Sequence, residues 1–273
     1  MKPYETLSET DWEQVERIHE LLDEGEVDEA RAALERLRRG RSSQPDLRIV
    51  EATICLEEGE AGQALAALAG AERSADPAQF FHLRAAAHYD LVRFEDARAD
   101  AERALAIHTD YAFAWDLLSR ICEHLGDART AAEAAERAAE IEPEGFPPPL
   151  EGSDEEFDRM VEKSVRELPA AVRQKLDELP VLVQALPTRE MLTAEQPPLT
   201  PDLLGLFVGR HIFAESVSAP PTAPGAIYLF RRNLLRACAD LEELSREVGI
   251  TVRHEVGHLM GLDEEELDDW GLA

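Results

Sequence analysis

Gly126-Asp127-Ala128-Arg129-Thr130-Ala131 recurs three times upstream in looser form. The counterparts are Gly25-Glu26-Val27-Asp28-Glu29-Ala30, Gly59-Glu60-Ala61-Gly62-Gln63-Ala64 and Val92-Arg93-Phe94-Glu95-Asp96-Ala97, the last with valine in the glycine position. The alanines that close these runs, Ala30, Ala64, Ala97 and Ala131, are 34, 33 and 34 residues apart. Four and seven positions further on come Leu34 and Leu37, Leu68 and Ala71, Ala101 and Ala104, and Ala135 and Ala138. That spacing puts each set on one face of a helix opening just after the glycine. Pro45, Pro77 and Pro143 punctuate the units and are read as closing three of them. A period of this length, with small residues where helices cross, predicts stacked helix–turn–helix units.

The pattern resembles the tetratricopeptide repeat (TPR) family, most clearly in the last unit with Trp115, Leu118, Gly126, Ala131, Ala135, Ala138 and Pro143. The first two units are degenerate, because Arg48 and Ala52 replace the usual bulky and small residues of a first helix. The resemblance implies a superhelix with a concave face and a protein partner in its groove. A scaffold or dimerisation arm is the alternative, since the sequence lacks a basic carboxylate clamp. About four units occupy residues 1–145. Phe146-Pro147-Pro148-Pro149 then opens a linker at 146–153, because consecutive prolines cannot continue a helix. The domain boundary is expected at about residue 150.

Charge narrows the partners. The 273 residues carry a formal net charge of -29, a field that repels nucleic acid and anionic membranes alike. A mean hydropathy of -0.32 and the absence of a membrane-length apolar run describe a chain that stays in water. Cys55, Cys122 and Cys238 form no paired motif and each falls in an apolar helical pattern, so buried reduced thiols in the cytoplasm are expected. The N-terminal residues show no secretory signal.

Residues 154–273 change character. Phe157, Met160, Val161, Ser164, Val165 and Leu168 form a helical stripe ending at Pro169. Val181–Leu186, Leu203–Gly209 and Ala226–Phe230 read as strands between proline- and glycine-rich segments. Ala226–Phe230 is taken as a sheet edge able to align an extended peptide. Asp240 and Glu243 form an acidic capping box, opening a helix that runs to about Met260 with Leu241, Leu244, Val248, Val252, Val256 and Leu259 as its buried stripe. Gly249 is a weak point where that helix could kink.

That helix carries His254-Glu255-Val256-Gly257-His258-Leu259-Met260-Gly261-Leu262-Asp263-Glu264. Histidines four residues apart share a helix face and suit one zinc ion, and the glutamate between them suits a general base. Gly261 can turn the chain so that Glu264, or Asp263 after a one-residue shift, returns as a third ligand. His211 and Tyr228 are candidate substrate or transition-state contacts, each weighed against an ordinary strand residue. Met260 is read as core packing.

These residues resemble the bacterial minimal zincin-like, metzincin-like metallopeptidases over about residues 154–273. The resemblance rests on His254-Glu255-Val256-Gly257-His258 with Gly261, on Leu168-Pro169, on Leu204–Gly209 and on Ile227–Arg231. It implies a small α+β zincin fold, one zinc per chain on His254 and His258, and Glu255 as general base. Members of the family tend to have a carboxylate where Glu264 stands. The combined expectation is a two-domain chain: an all-α TPR-like repeat followed by a small α+β zincin-like domain. The expected function is a zinc peptidase acting on peptides or proteins, with the repeats recruiting them. The alternative is an interaction scaffold whose zincin-like module binds metal without efficient turnover.

Overall fold

The computed structural model describes residues 6–39, 44–72, 76–148, 150, 152–168, 170, 173, 180–209 and 225–259. The chain divides into two compact units, Met1–Pro148 with Leu192–Thr200, and Pro149–Met191 with Pro201–Ala273.

Among the described residues the first unit holds eight helices in four hairpins: α1 (Glu9–Asp23) with α2 (Val27–Leu37), α3 (Pro45–Glu57) with α4 (Ala61–Leu68), α5 (Pro77–Asp90) with α6 (Phe94–Ile107), and α7 (Ala112–His124) with α8 (Ala128–Ile141). Each second helix also packs on the next first helix, and successive first helices touch one another, as stacked helical repeats require. This is a TPR-like architecture.

The hairpin turns explain the glycine run. Gly25, Gly59 and Gly126 have φ of 78°, 74° and 75°. At each turn the next N–H bonds back to the first helix: Glu26 to Leu21 O at 2.8 Å, Glu60 to Cys55 O at 2.7 Å and Asp127 to Cys122 O at 2.9 Å. This is the Schellman arrangement, whose left-handed residue glycine adopts without steric cost. Val92 takes the same role with φ 59°, and Arg93 N–H bonds to His88 O at 2.8 Å. A β-branched residue there is strained; the valine is retained with its side chain buried to 4% exposure.

The four anchor alanines are buried at the helix crossings. Pro45 and Pro77 prove to open α3 and α5 rather than to close the preceding unit. Proline fits a first helical turn because that N–H has no helical partner. Arg48, the irregular residue of the second unit, donates its Nη1 to the Ala67 carbonyl at 3.4 Å and to that of Ala69, satisfying the exposed end of the short α4. Between α5 and α6, buried Asp100 accepts both arms of the Arg84 guanidinium, at 2.6 and 2.7 Å.

The second unit contains α9 (Asp154–Glu167), β1 (Val181–Gln184), β2 (Gly205–Val208), β3 (Ala226–Phe230), α11 (Arg231–Ala237) and α12 (Leu241–Leu259); α10 (Arg189–Leu192) lies across the division of the chain. The sheet order is β1-β3-β2, with β1 parallel and β2 antiparallel to β3. Ala226–Phe230 is therefore the central strand, not the edge the sequence reading made it. Among the described residues the edges are β1 and β2.

Ile227 and Leu229 of β3 join Phe157 and Val161 of α9 and Leu244, Val248, Val252 and Val256 of α12 in one buried cluster. Helices thus cover one face of the sheet. Leu241 is 46% exposed and does not extend the stripe of α12. Nor does Gly249 break the helix, which runs through it unbroken. A Cβ there would stand 3.6 Å from Ser164 Oγ of α9, an ordinary contact, so the approach of the two helices does not require glycine.

Candidate metallopeptidase site

The site is built on α12. Asp240 Oδ1 accepts the N–H groups of Glu242 and Glu243, both at 2.8 Å. The Glu243 carboxylate reaches back to Ala239 N–H at 2.7 Å, one residue before the partner a standard capping box uses. The capped helix delivers the candidate residues in its last two turns. His254 is half-buried, Glu255 is 6% exposed, and His258 stands one turn after His254.

Buried Glu255 faces the sheet. The position a Cβ would take on Gly205, the first residue of β2, lies 3.0 Å from Glu255 Cγ and 3.1 Å from Glu255 Oε1. The same position lies 2.6 Å from Thr251 Cγ2. Gly205 pairs with Leu229, which points into the helix-covered core. A strand edge therefore passes directly over the glutamate, and only glycine allows that spacing. Thr251 is 6% exposed and donates Oγ1–H to Glu247 O at 2.9 Å, holding its methyl against the strand.

Neither Gly205 nor Thr251 stood out in the sequence reading. Their signal was present: a glycine at the start of a strand marks close backbone approach, and Thr251 precedes Glu255 by one helical turn.

Tyr228 sits between Ile227 and Leu229 on β3, paired with Leu182 and Leu206. Strand alternation sets it on the face opposite the helices, so the structure does not bring it beside Glu255. His211, Gly261, Asp263 and Glu264 lie outside the described residues, as does Met260. Among the described residues, no group of three His, Cys, Asp or Glu side chains is gathered at metal-binding distance.

The donor set that is described suits a zinc site. Two imidazole-bearing positions a turn apart on one helix, with a buried carboxylate between them, are the residue types and spacing that a zinc site uses. Cys238, the nearest thiol in sequence, is buried in the core cluster. Burial, then the carboxylates of Glu243 and Glu247, push its pKa up to about 11, so it stays a protonated packing residue.

A capped helix bearing this motif packs on a mixed three-stranded sheet in a small α+β unit. Residues 176–272 match the family model for zincin-like metallopeptidases. The match begins after α9, whereas the sequence reading extended the resemblance back to residue 154. Among solved structures, the chain is similar to one described as the crystal structure of MamA. The identity is 20%, with a TM-score of 0.40, over 46% of this chain and 74% of that one. No curated protein matches the chain. Among the described residues no helix is long and apolar enough to cross a membrane.

Proposed function

We propose that this chain is a zinc-dependent peptidase whose TPR-like repeats recruit the polypeptides it cleaves. His254, His258 and Glu264, with Asp263 as the alternative third ligand, would hold one zinc ion per chain. The observation that carries the reading is the burial of Glu255 beneath Gly205 of the edge strand, on the same helical turn as His254. A carboxylate between two histidines one helical turn apart is where a zinc peptidase needs its general base.

When bound, zinc supplies a Lewis acid for the scissile carbonyl and lowers the pKa of water to about 7. Glu255 is the proton carrier. Its carboxylate takes a proton from the attacking water and returns it to the amine as the peptide bond breaks. The role suits its place: the carboxylate is screened from bulk water and held between Thr251 and the strand.

Substrate alignment falls to β2. Among the described residues β2 is an edge strand of the sheet, and an extended peptide adding to its outer side by main-chain hydrogen bonds is the alignment this reading assigns. Because Gly205 lies over Glu255, a peptide on that edge runs past the base. The three cysteines are free and buried, which suits a reducing cytoplasm.

Elemental analysis of the purified chain, of His254→Ala and of His258→Ala, joined to cleavage of a mixed peptide library, tests the reading. One zinc per wild-type chain, lost in both histidine variants, with cleavage only by the loaded protein, is expected. Glu264→Gln and Asp263→Asn compared in the same way identify the third ligand. A zinc-free wild type would overturn the metal assignment. Zinc without cleavage would leave a metal-binding interaction scaffold.

A further inference from the structure

β2 is a strand of four residues that opens on a glycine, and among the described residues it pairs with β3 alone. Gly205 brings no side chain to anchor that opening, because Thr251 and Glu255 already take the place a Cβ would fill. The start of the strand is held instead from a neighbouring element. Asn233 Nδ2 donates to the Pro201 carbonyl at 2.9 Å and to the Leu203 carbonyl at 2.8 Å. Phe230 N–H donates to Leu204 O at 2.8 Å. One short stretch, residues 230–233, thus grips three of the carbonyls that lead into β2.

Asn233 is 4% exposed and stands in the first turn of α11. An asparagine near a helix start ordinarily bonds to nearby backbone. This one directs both of its donors to a segment 30 and 32 residues away. Among the described residues its buried Oδ1 has no hydrogen-bond partner, so the amide acts here only as a double donor. Exchanging its nitrogen and oxygen would set the oxygen against two carbonyl oxygens. Serine offers one donor and an ionised aspartate none. Leucine would fill a similar volume and leave no buried acceptor unpaired, but it would release both carbonyls.

We propose that Asn233 is a positioning residue of the peptidase site: its amide holds the Pro201 and Leu203 carbonyls and so keeps β2 where Gly205 crosses Glu255. Its effect on cleavage rests on the peptidase reading; its effect on the place of β2 does not. One residue separates Leu203 from Gly205, and two residues of chain reach about 7 Å at full extension, so movement of the held carbonyl passes to the glycine. Thr251 and Glu255 belong to α12, which is fixed separately by Leu244, Val248, Val252 and Val256 in the core. Release of Asn233 therefore loosens the strand and leaves the helix in place.

Hydrogen exchange and steady-state cleavage by the full chain test this in Asn233→Leu and Asn233→Ser. Leu206 and Val208 carry the informative amides. The Phe230–Leu204 bond marks a hydrogen-bonded pair, and antiparallel alternation then directs these two N–H groups at β3. In Asn233→Leu they should exchange at least about tenfold faster, while the slowest amides of α12 change by less than about threefold. Asn233→Ser keeps one donor and should fall between the leucine variant and wild type. For a library peptide that wild type cleaves, KM should rise at least about tenfold in Asn233→Leu at unchanged zinc content. A residue that only supports folding would speed exchange in β2 and α12 together, and would lower apparent kcat at constant KM through a smaller folded fraction. Either pattern, or β2 amides as protected in Asn233→Leu as in wild type, would overturn the proposal. A wild type without zinc or without cleavage removes the peptidase reading instead, and the exchange comparison still decides whether Asn233 places β2.

Discussion

Replacing Gly205 with alanine probes the contact on which the candidate site is built. The added Cβ falls 2.6 Å from Thr251 Cγ2 and 3.0 Å from Glu255 Cγ. Carbon pairs prefer about 3.5–4.0 Å, so the closer overlap is about 1 Å. Thr251 sits on a helix packed into the core and Glu255 is buried beside it, so neither can step aside into solvent. Overpacking of this kind costs about 1–3 kcal/mol. Alanine in a strand otherwise gains about 0.5–1 kcal/mol over glycine, leaving a net loss centred on about 1 kcal/mol.

Thr251→Ser deletes the methyl that makes the closest contact and keeps the hydroxyl bonded to Glu247. Alone it should cost about 1 kcal/mol for a lost buried methyl. Combined with Gly205→Ala it should restore stability, giving a coupling of about 1 kcal/mol in a double-mutant cycle. Hydrogen exchange of the slowest amides in residues 241–259 reads the opening free energy of the second unit directly. A neutral or stabilising Gly205→Ala, or single effects that add within about 0.5 kcal/mol, would refute the close approach of β2 to Glu255.

Gly249→Ala should act in the opposite direction. Its Cβ would meet Ser164 Oγ at 3.6 Å and the mobile tip of Arg253 at 3.3 Å, so the helix gains about 0.5–1 kcal/mol, measured by the same exchange experiment. Acid should weaken the repeat unit through His82. Burial, with Arg120 adding to it, pushes its imidazole down to about 4, and its Nδ1 is sealed without a hydrogen-bond partner. The folded pKa lies below the unfolded value near 6.5, so the unfolded chain takes up the proton first. The stability is fully present above pH 6.5 and is lost as pH falls towards 4, by up to about 3 kcal/mol. Urea midpoints across that window should fall in wild type and flatten in His82→Gln; His19 and His88, also held down by burial, leave a smaller residual slope.

The repeat unit was legible because its signals are local. A residue in the left-handed region after each first helix, and a buried alanine five positions on, are fixed by one hairpin alone. Even valine at position 92 kept the register. The three strands were also visible from proline and glycine at their borders. Their order was not: whether Ala226–Phe230 sits at the edge or the centre depends on pairing across long stretches of chain, and periodicity carries no such information. The same limit hid Gly205 and Thr251, which matter through a strand-to-helix contact spanning about fifty residues of sequence. Gly249 was misread for a related reason. Helix propensity sees a weak residue, whereas the packing of this helix on α9 and the sheet carries it through the glycine unbroken. Leu241 shows the converse, an apolar residue at the right spacing but in the exposed first turn of its helix.

The account's central claim is that Glu255 moves the proton in a zinc-dependent cleavage. Cleavage of a peptide library by wild type and by Glu255→Gln, both loaded to one zinc per chain, tests it most directly. Glutamine keeps the size of the side chain beneath Gly205 and removes only its ability to take a proton. The account predicts a variant that holds zinc as wild type does and loses cleavage by at least about 100-fold. Equal cleavage by the two proteins would contradict it.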